Sequence, residues 1–118
     1  MLTANVQEAK SKIVVDLKGE NSTAEVNTRS VVQDQSKQLI HLVMNGEEEC
    51  RGHIECDSII MDQGQVSSVP EVTALHPGAQ LIHEATIGRI ASDQLIKLMT
   101  LGLTEEEAEN KILEGFLE

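Results

Sequence analysis

The stretch CRGHIECDSIIMDQGQVSSVPEVTALHPGAQLIHEATIGRI, residues 50–90, decides the fold. Its first part, Cys50 to Met61, alternates as a strand, with Cys50, Gly52, Ile54, Cys56 and Ser58 on one face, and Asp62-Gln63-Gly64 ends it. Val66 to His76 is strand-like but carries Pro70, which cannot donate a ladder hydrogen bond and so marks an edge, a bulge or a corner. His76-Pro77-Gly78 turns the chain, and Gln80 to Ile90 returns to strand.

Upstream, the same grammar repeats. Ile13, Val15 and Leu17 alternate with Val14, Asp16 and Lys18, and Gly19-Glu20-Asn21-Ser22 supplies turn chemistry. Ala24, Val26, Thr28 and Ser30 then share a face, until Asp34-Gln35-Ser36 interrupts. Lys37 to Met44 is a further apolar run, and Asn45-Gly46 after it predicts a tight turn with positive φ. Residues 1–11 show no clear alternation. No helical segment is predicted before residue 91.

Downstream, the periodicity changes. Ser92 is the predicted N-cap of a helix whose stripe is Leu95, Ile96, Leu98 and Met99 and which stops at Gly102. A second helix opens on a capping box, Thr104 to Glu107, and presents Ala108, Ile112, Leu113 and Phe116. The expected division is a β body over residues 1–91 and a helical segment over 92–118.

Composition bounds the function. A chain of 118 residues suits one domain. With one Phe and neither Trp nor Tyr, its core is filled by thin aliphatic layers, which favours stacked β structure. The net charge of -11 opposes binding to nucleic acid or to an anionic membrane, because nine scattered Lys and Arg form no basic stripe. Acidity is concentrated over residues 104–118, with six Glu against one Lys. No apolar run reaches the ~20 residues that span a bilayer, and MLTANVQEAK lacks the pattern of a signal peptide. The expectation is a cytoplasmic protein with reduced cysteines.

Two cysteines and four histidines carry the available chemistry. Cys50 and Cys56 lie ~20 Å apart along one strand, so they neither bridge nor share a metal there, and His53 faces the other side. In a solenoid, however, coils stack ~4.8 Å apart, and Cys56 and His83, 27 residues apart, suit one coil of a parallel β-helix. Cys56 therefore reads either as a buried small hydrophobe or as part of a metal pair with His83. His41 and His76 read as structural. Gly-x-Ser-x-Gly, His-Glu-x-x-His and Cys-x-x-Cys motifs are absent, as is a phosphate-cradling loop, so a catalytic role is not expected.

Specific motifs now converge. Glu55-Cys56-Asp57-Ser58, His83-Glu84-Ala85-Thr86 with Gly88 and Ile90, Asp93-Gln94-Leu95, Gly102-Leu103 and Gly115-Phe116 occur in order. Over about residues 46–118, and more weakly upstream, the chain resembles the C-terminal core of the SufB/SufD family of iron-sulfur cluster assembly proteins. The resemblance implies a short right-handed parallel β-helix with a C-terminal two-helix appendage. It implies a scaffold role, pairing with itself as a homodimer or with a SufB/SufD homologue through β-helix strands, and docking of a SufC-type ABC ATPase on residues 92–118. Cys56 matches a cysteine linked to cluster assembly, His83 a histidine at the paired interface, and Glu84 the acid that follows it. By resemblance Cys56 and His83 are thus candidate iron ligands, with Glu84 a further cluster or interface residue, for a transient iron-sulfur cluster.

There are departures from the family pattern. Ile82 stands where an acid can occur, Leu101 replaces a common Arg before Gly102, and the chain is much shorter than a full member. The alternative expectation is an ATPase-docking or structural module without cluster chemistry.

Overall fold

The computed structural model describes residues 1–118. Seven strands precede two helices: β1 (Leu2–Thr3), β2 (Glu8–Leu17), β3 (Ser22–Val32), β4 (Lys37–Gly46), β5 (Cys50–Ile60), β6 (Gln65–Ala74), β7 (Ala79–Gly88), α1 (Ser92–Thr100) and α2 (Glu105–Leu117). Odd strands form one sheet in the order β1-β3-β5-β7, and even strands form another in the order β2-β4-β6. Every neighbouring pair is parallel. The chain thus visits the two sheets in turn, and each coil is two strands and two corners. The expected parallel β-solenoid, of about three turns, with two C-terminal helices, is what the chain adopts.

Alternation places the core between the sheets. On β4, Gln38, Ile40, Leu42, Met44 and Gly46 are buried, and on β5 Cys50, Gly52, Ile54, Cys56 and Ser58 are, matching the face read from the sequence. Leu17, Ile40, Leu42, Met44, Cys50, Ile54 and Cys56 form one apolar cluster. Toward the other end of the cross-section the interior is polar and in part hydrogen-bonded, with Gln38 Oε1 and Thr28 Oγ1 left without a partner. Thr3 and Ser36 hydroxyls meet at 2.9 Å, and the Gln38 Nε2 amide donates to Thr3 Oγ1 at 3.0 Å and to the Val31 carbonyl at 3.1 Å.

Three expectations are corrected. Residues 8–11 belong to β2, whose inward Ala9 and Ser11 are too small and polar to print an apolar rhythm. Asn45 and Gly46 make no positive-φ turn; both continue β4. Gly46 is needed there because a Cβ would lie 2.9 Å from Cys50 Sγ and 3.0 Å from Ala79 Cβ. The left-handed backbone falls instead at Asn5, Asn21, Asp34 and Asp62, residue types whose short polar side chains tolerate it.

The corner containing Asn5, Asp34 and Asp62 stacks as a ladder. The Asn5 carbonyl accepts from Gln35 N–H at 2.9 Å, and the Asp34 carbonyl accepts from Gln63 N–H at 2.9 Å. With no further coil, the Asp62 carbonyl accepts two guanidinium N–H groups of Arg89, each at 3.3 Å. Arg89 therefore ends the corner ladder.

The third correction concerns α1, whose N-cap is Ala91 rather than Ser92, with no side-chain cap. At α2 the expected capping box is present: Thr104 Oγ1 accepts from Glu107 N–H at 3.2 Å, and Glu107 Oε1 accepts from Thr104 N–H at 3.3 Å. Ala108 and Leu113 of α2 are buried, and the helix packs on α1 and back on β3. Val31, whose parity points it out of the solenoid, is fully buried. A Thr104→Ala variant should lose about 1 kcal/mol, read as a lower urea midpoint at unchanged slope; an unchanged midpoint would show that α2 holds without its cap. No helix is long and apolar enough to cross a membrane.

Candidate functional site

Cys56 and His83 project inward from adjacent strands. Cys56 faces Ala85 across the β5/β7 ladder and Thr28 across β3/β5, while His83 faces Ile54. The coil here is 29 residues, as in Cys50↔Ala79, so a separation of 27 makes Cys56 and His83 diagonal rather than direct neighbours. Diagonal side chains on one face remain within reach when one is long. Cys56 Sγ and His83 Nε2 are 4.0 Å apart.

The two residues differ in exposure. Cys56 is buried, 2% exposed, whereas His83 is half-buried on the last strand of its sheet. Beyond β7 and β6 no further coil follows within the chain, so their inward side chains face an open end. Val72 on β6 and Ile87 on β7 are inward by register, yet 40% and 49% exposed. The Cys56–His83 pair thus runs from the core to the open end.

A thiolate and an imidazole suit iron. In tetrahedral geometry such a pair spans ~3.5 Å, so closing 4.0 Å takes a small movement of the His83 ring. No group of three or more His, Cys, Asp or Glu side chains in the chain is arranged to hold a metal ion. The chain alone therefore offers two convergent donors.

Glu84 lies elsewhere. Being adjacent to His83 on a strand, it points to the outer face of the sheet, where its Oε2 is 3.3 Å from His53 Nε2. His53 Nδ1 lies 3.8 Å from Glu25 Oε1. This imidazole between two carboxylates went unread in the sequence. Its signal was present: Glu25, His53 and Glu84 all have outward parity and lie about a coil apart.

The remaining histidines and Cys50 lie apart from the Cys56–His83 pair. His76 Nδ1 accepts from Gly78 N–H at 2.9 Å in its turn. His41 Nε2 approaches Glu71 Oε1 to 2.9 Å on the outer face of β4, close enough for an ion pair though not aligned as a hydrogen bond. Cys50 is a free, buried thiol at the start of β5.

The model of the SUF system FeS cluster assembly SufBD core domain matches residues 1–116. The chain belongs to the SufBD core family. The match reaches well upstream of the motifs over residues 46–118. Three relatives are each named an iron-sulfur cluster assembly SufBD family protein. The one from Archaeoglobus fulgidus is 34% identical over 118 residues, covering 99% of this chain and 31% of the relative. Those from Methanothermobacter thermautotrophicus and Methanocaldococcus jannaschii are 34% and 36% identical, covering 96% and 88% of this chain and 28% and 33% of themselves. The chain spans about a third of the length of these relatives. SufBD membership and the parallel solenoid agree on the same architecture.

Proposed function

We propose that this SufBD core chain is a scaffold for iron-sulfur cluster assembly that completes its site only by pairing. The observation that carries this reading is the Cys56–His83 pair, one residue buried and one half-buried, at an open solenoid end. Two donors from one chain leave the other positions of a tetrahedral iron to sulfide or to a second chain. The unpaired outer edges of β6 and β7 and the exposed Val72 and Ile87 support end-to-end pairing with another copy or with a SufBD homologue. Iron and sulfide are here the cargo.

Anaerobic reconstitution with iron and sulfide, followed by gel filtration, tests this reading. The expected result is iron that elutes with a paired species. Iron-free monomer after reconstitution, in the presence of the cognate homologue as well as alone, would sink it.

A second reading, an ABC-type ATPase docking module, is supported by α1. That helix buries none of its residues, and Ile96, Met99 and Leu101 are 60%, 41% and 76% exposed. Titration with the cognate SufC-type ATPase tests it. Ile96→Asp should weaken binding by roughly tenfold, the scale expected of an anchor in an apolar contact, while leaving the thermal midpoint near that of the parent. Equal affinity of both proteins would remove α1 from the contact.

A further inference from the structure

The outer face of the odd-strand sheet carries an arrangement that the pairing site does not use. Along one rung Asn27, Glu55 and Glu84 are aligned, and along the neighbouring rung Glu25, His53 and Ile82 are. Glu55 and Glu84 are therefore directly opposed carboxylates, which repel across a ladder. Glu84 turns diagonally to His53, with Oε2 at 3.3 Å from Nε2. An ionised carboxylate only accepts, so Nε2–H is the donor. On the other side of the same ring Nδ1 lies 3.8 Å from Glu25 Oε1, beyond hydrogen-bond distance and attractive only to the doubly protonated ring, so the three side chains cross three consecutive strands, β3, β5 and β7, with His53–Glu84 the direct contact.

From this we infer that Glu25, His53 and Glu84 form an outer strap that positions edge strand β7, and that Glu84 serves there rather than sharing an ion with Cys56 and His83. The exclusion of Glu84 from the metal site rests on the proposed Cys56–His83 reading; the strap itself does not. Two arguments support it. First, adjacent residues on a strand face opposite ways, so with His83 turned in beside Cys56, Glu84 is turned out. Second, β7 has a strand neighbour on one side only, so a few outer contacts weigh heavily in its local opening. The strap is half-exposed, with side-chain exposures of 33% for His53 and 63% for Glu84, which sets a modest effect.

Two measurements on the whole chain test this. In the metal-free protein, His53→Ala and Glu84→Ala should speed amide hydrogen exchange over residues 79–88 by roughly two- to fivefold, with β2 and β4 unaffected. Glu84→Gln keeps an acceptor oxygen and should exchange like the parent. Unchanged exchange in His53→Ala overturns the strap. In the second measurement cobalt(II) replaces iron, and the thiolate-to-cobalt absorption band reports ligation by Cys56. Glu84→Gln should retain the band with affinity within about twofold of the parent; a loss of tenfold or more, about 1.4 kcal/mol, makes Glu84 a ligand and overturns its assignment. If the parent protein gives no cobalt band, either alone or with the cognate homologue, the Cys56–His83 reading fails, while the exchange measurement still decides the strap.

Discussion

Cys56→Ser should lower the iron retained after anaerobic reconstitution at least ~10-fold, while Cys50→Ser retains it. The two thiols are both free and both buried, at 2% and 3% exposure, so burial does not distinguish them. Position does. Cys56 lies 4.0 Å from an imidazole on the edge strand, whereas Cys50 sits at the start of β5 beside Gly46 and Ala79. Iron holds a thiolate far better than a serine hydroxyl, which stays protonated at neutral pH. Serine in the core also adds a buried hydroxyl, so Cys56→Ala serves as the control for folding, with secondary structure followed by circular dichroism. Loss of iron in both variants with the fold retained is the expected outcome. Undiminished iron in folded Cys56→Ser would remove this residue from the mechanism and leave the ATPase-docking reading.

A large stability effect is expected at Gly52, where Gly52→Ala should cost about 1–3 kcal/mol. A Cβ there would collide with Met44 Sδ, lie 2.9 Å from Leu81 Cδ2 and 3.2 Å from Leu17 Cδ1. These are side-chain atoms, and such atoms normally yield cheaply. Here Met44 and Leu17 cannot, because Met44 is fully buried and Leu17 is 5% exposed within the same packed cluster. Gly115→Ala provides the opposite sign. Nothing lies within 4 Å of its Cβ position, and it stands inside α2, so alanine should stabilise by about 0.5–1 kcal/mol. Urea denaturation of the three proteins checks both signs. A Gly52→Ala midpoint at or above that of the parent would mean that the core between β2, β4, β5 and β7 has room that the packing denies.

Much of the architecture was legible as a rhythm. The inward set Cys50, Gly52, Ile54, Cys56 and Ser58 follows from a period of two, and the change of period after Ala91 announces the helices. The errors have physical causes. At β2 the inward face begins with Ala9 and Ser11, so the apolar signal is faint although the strand is present. At Asn45-Gly46 a pair suited to a turn is held extended because Gly46 must admit Cys50 and Ala79 against its backbone. Turn propensity is local, and close approach of another coil overrides it.

The sequence by itself determined that the chain is built of parallel-stackable strands followed by two helices, and its motifs determined the SufBD core family. It also singled out Cys56 and His83. Only the tertiary structure decided how they meet. Paired residues are separated by 28 in β3/β5 (Ser22↔Cys50) and 29 in β5/β7 (Cys50↔Ala79), and this register turns a spacing of 27 into a diagonal contact. The same register sets Glu84 on the outer face against His53. Alternation is a property of each strand alone and is written in its residues. Register depends on how many residues each corner consumes when the coils pack, a quantity that exists only in the assembled solenoid.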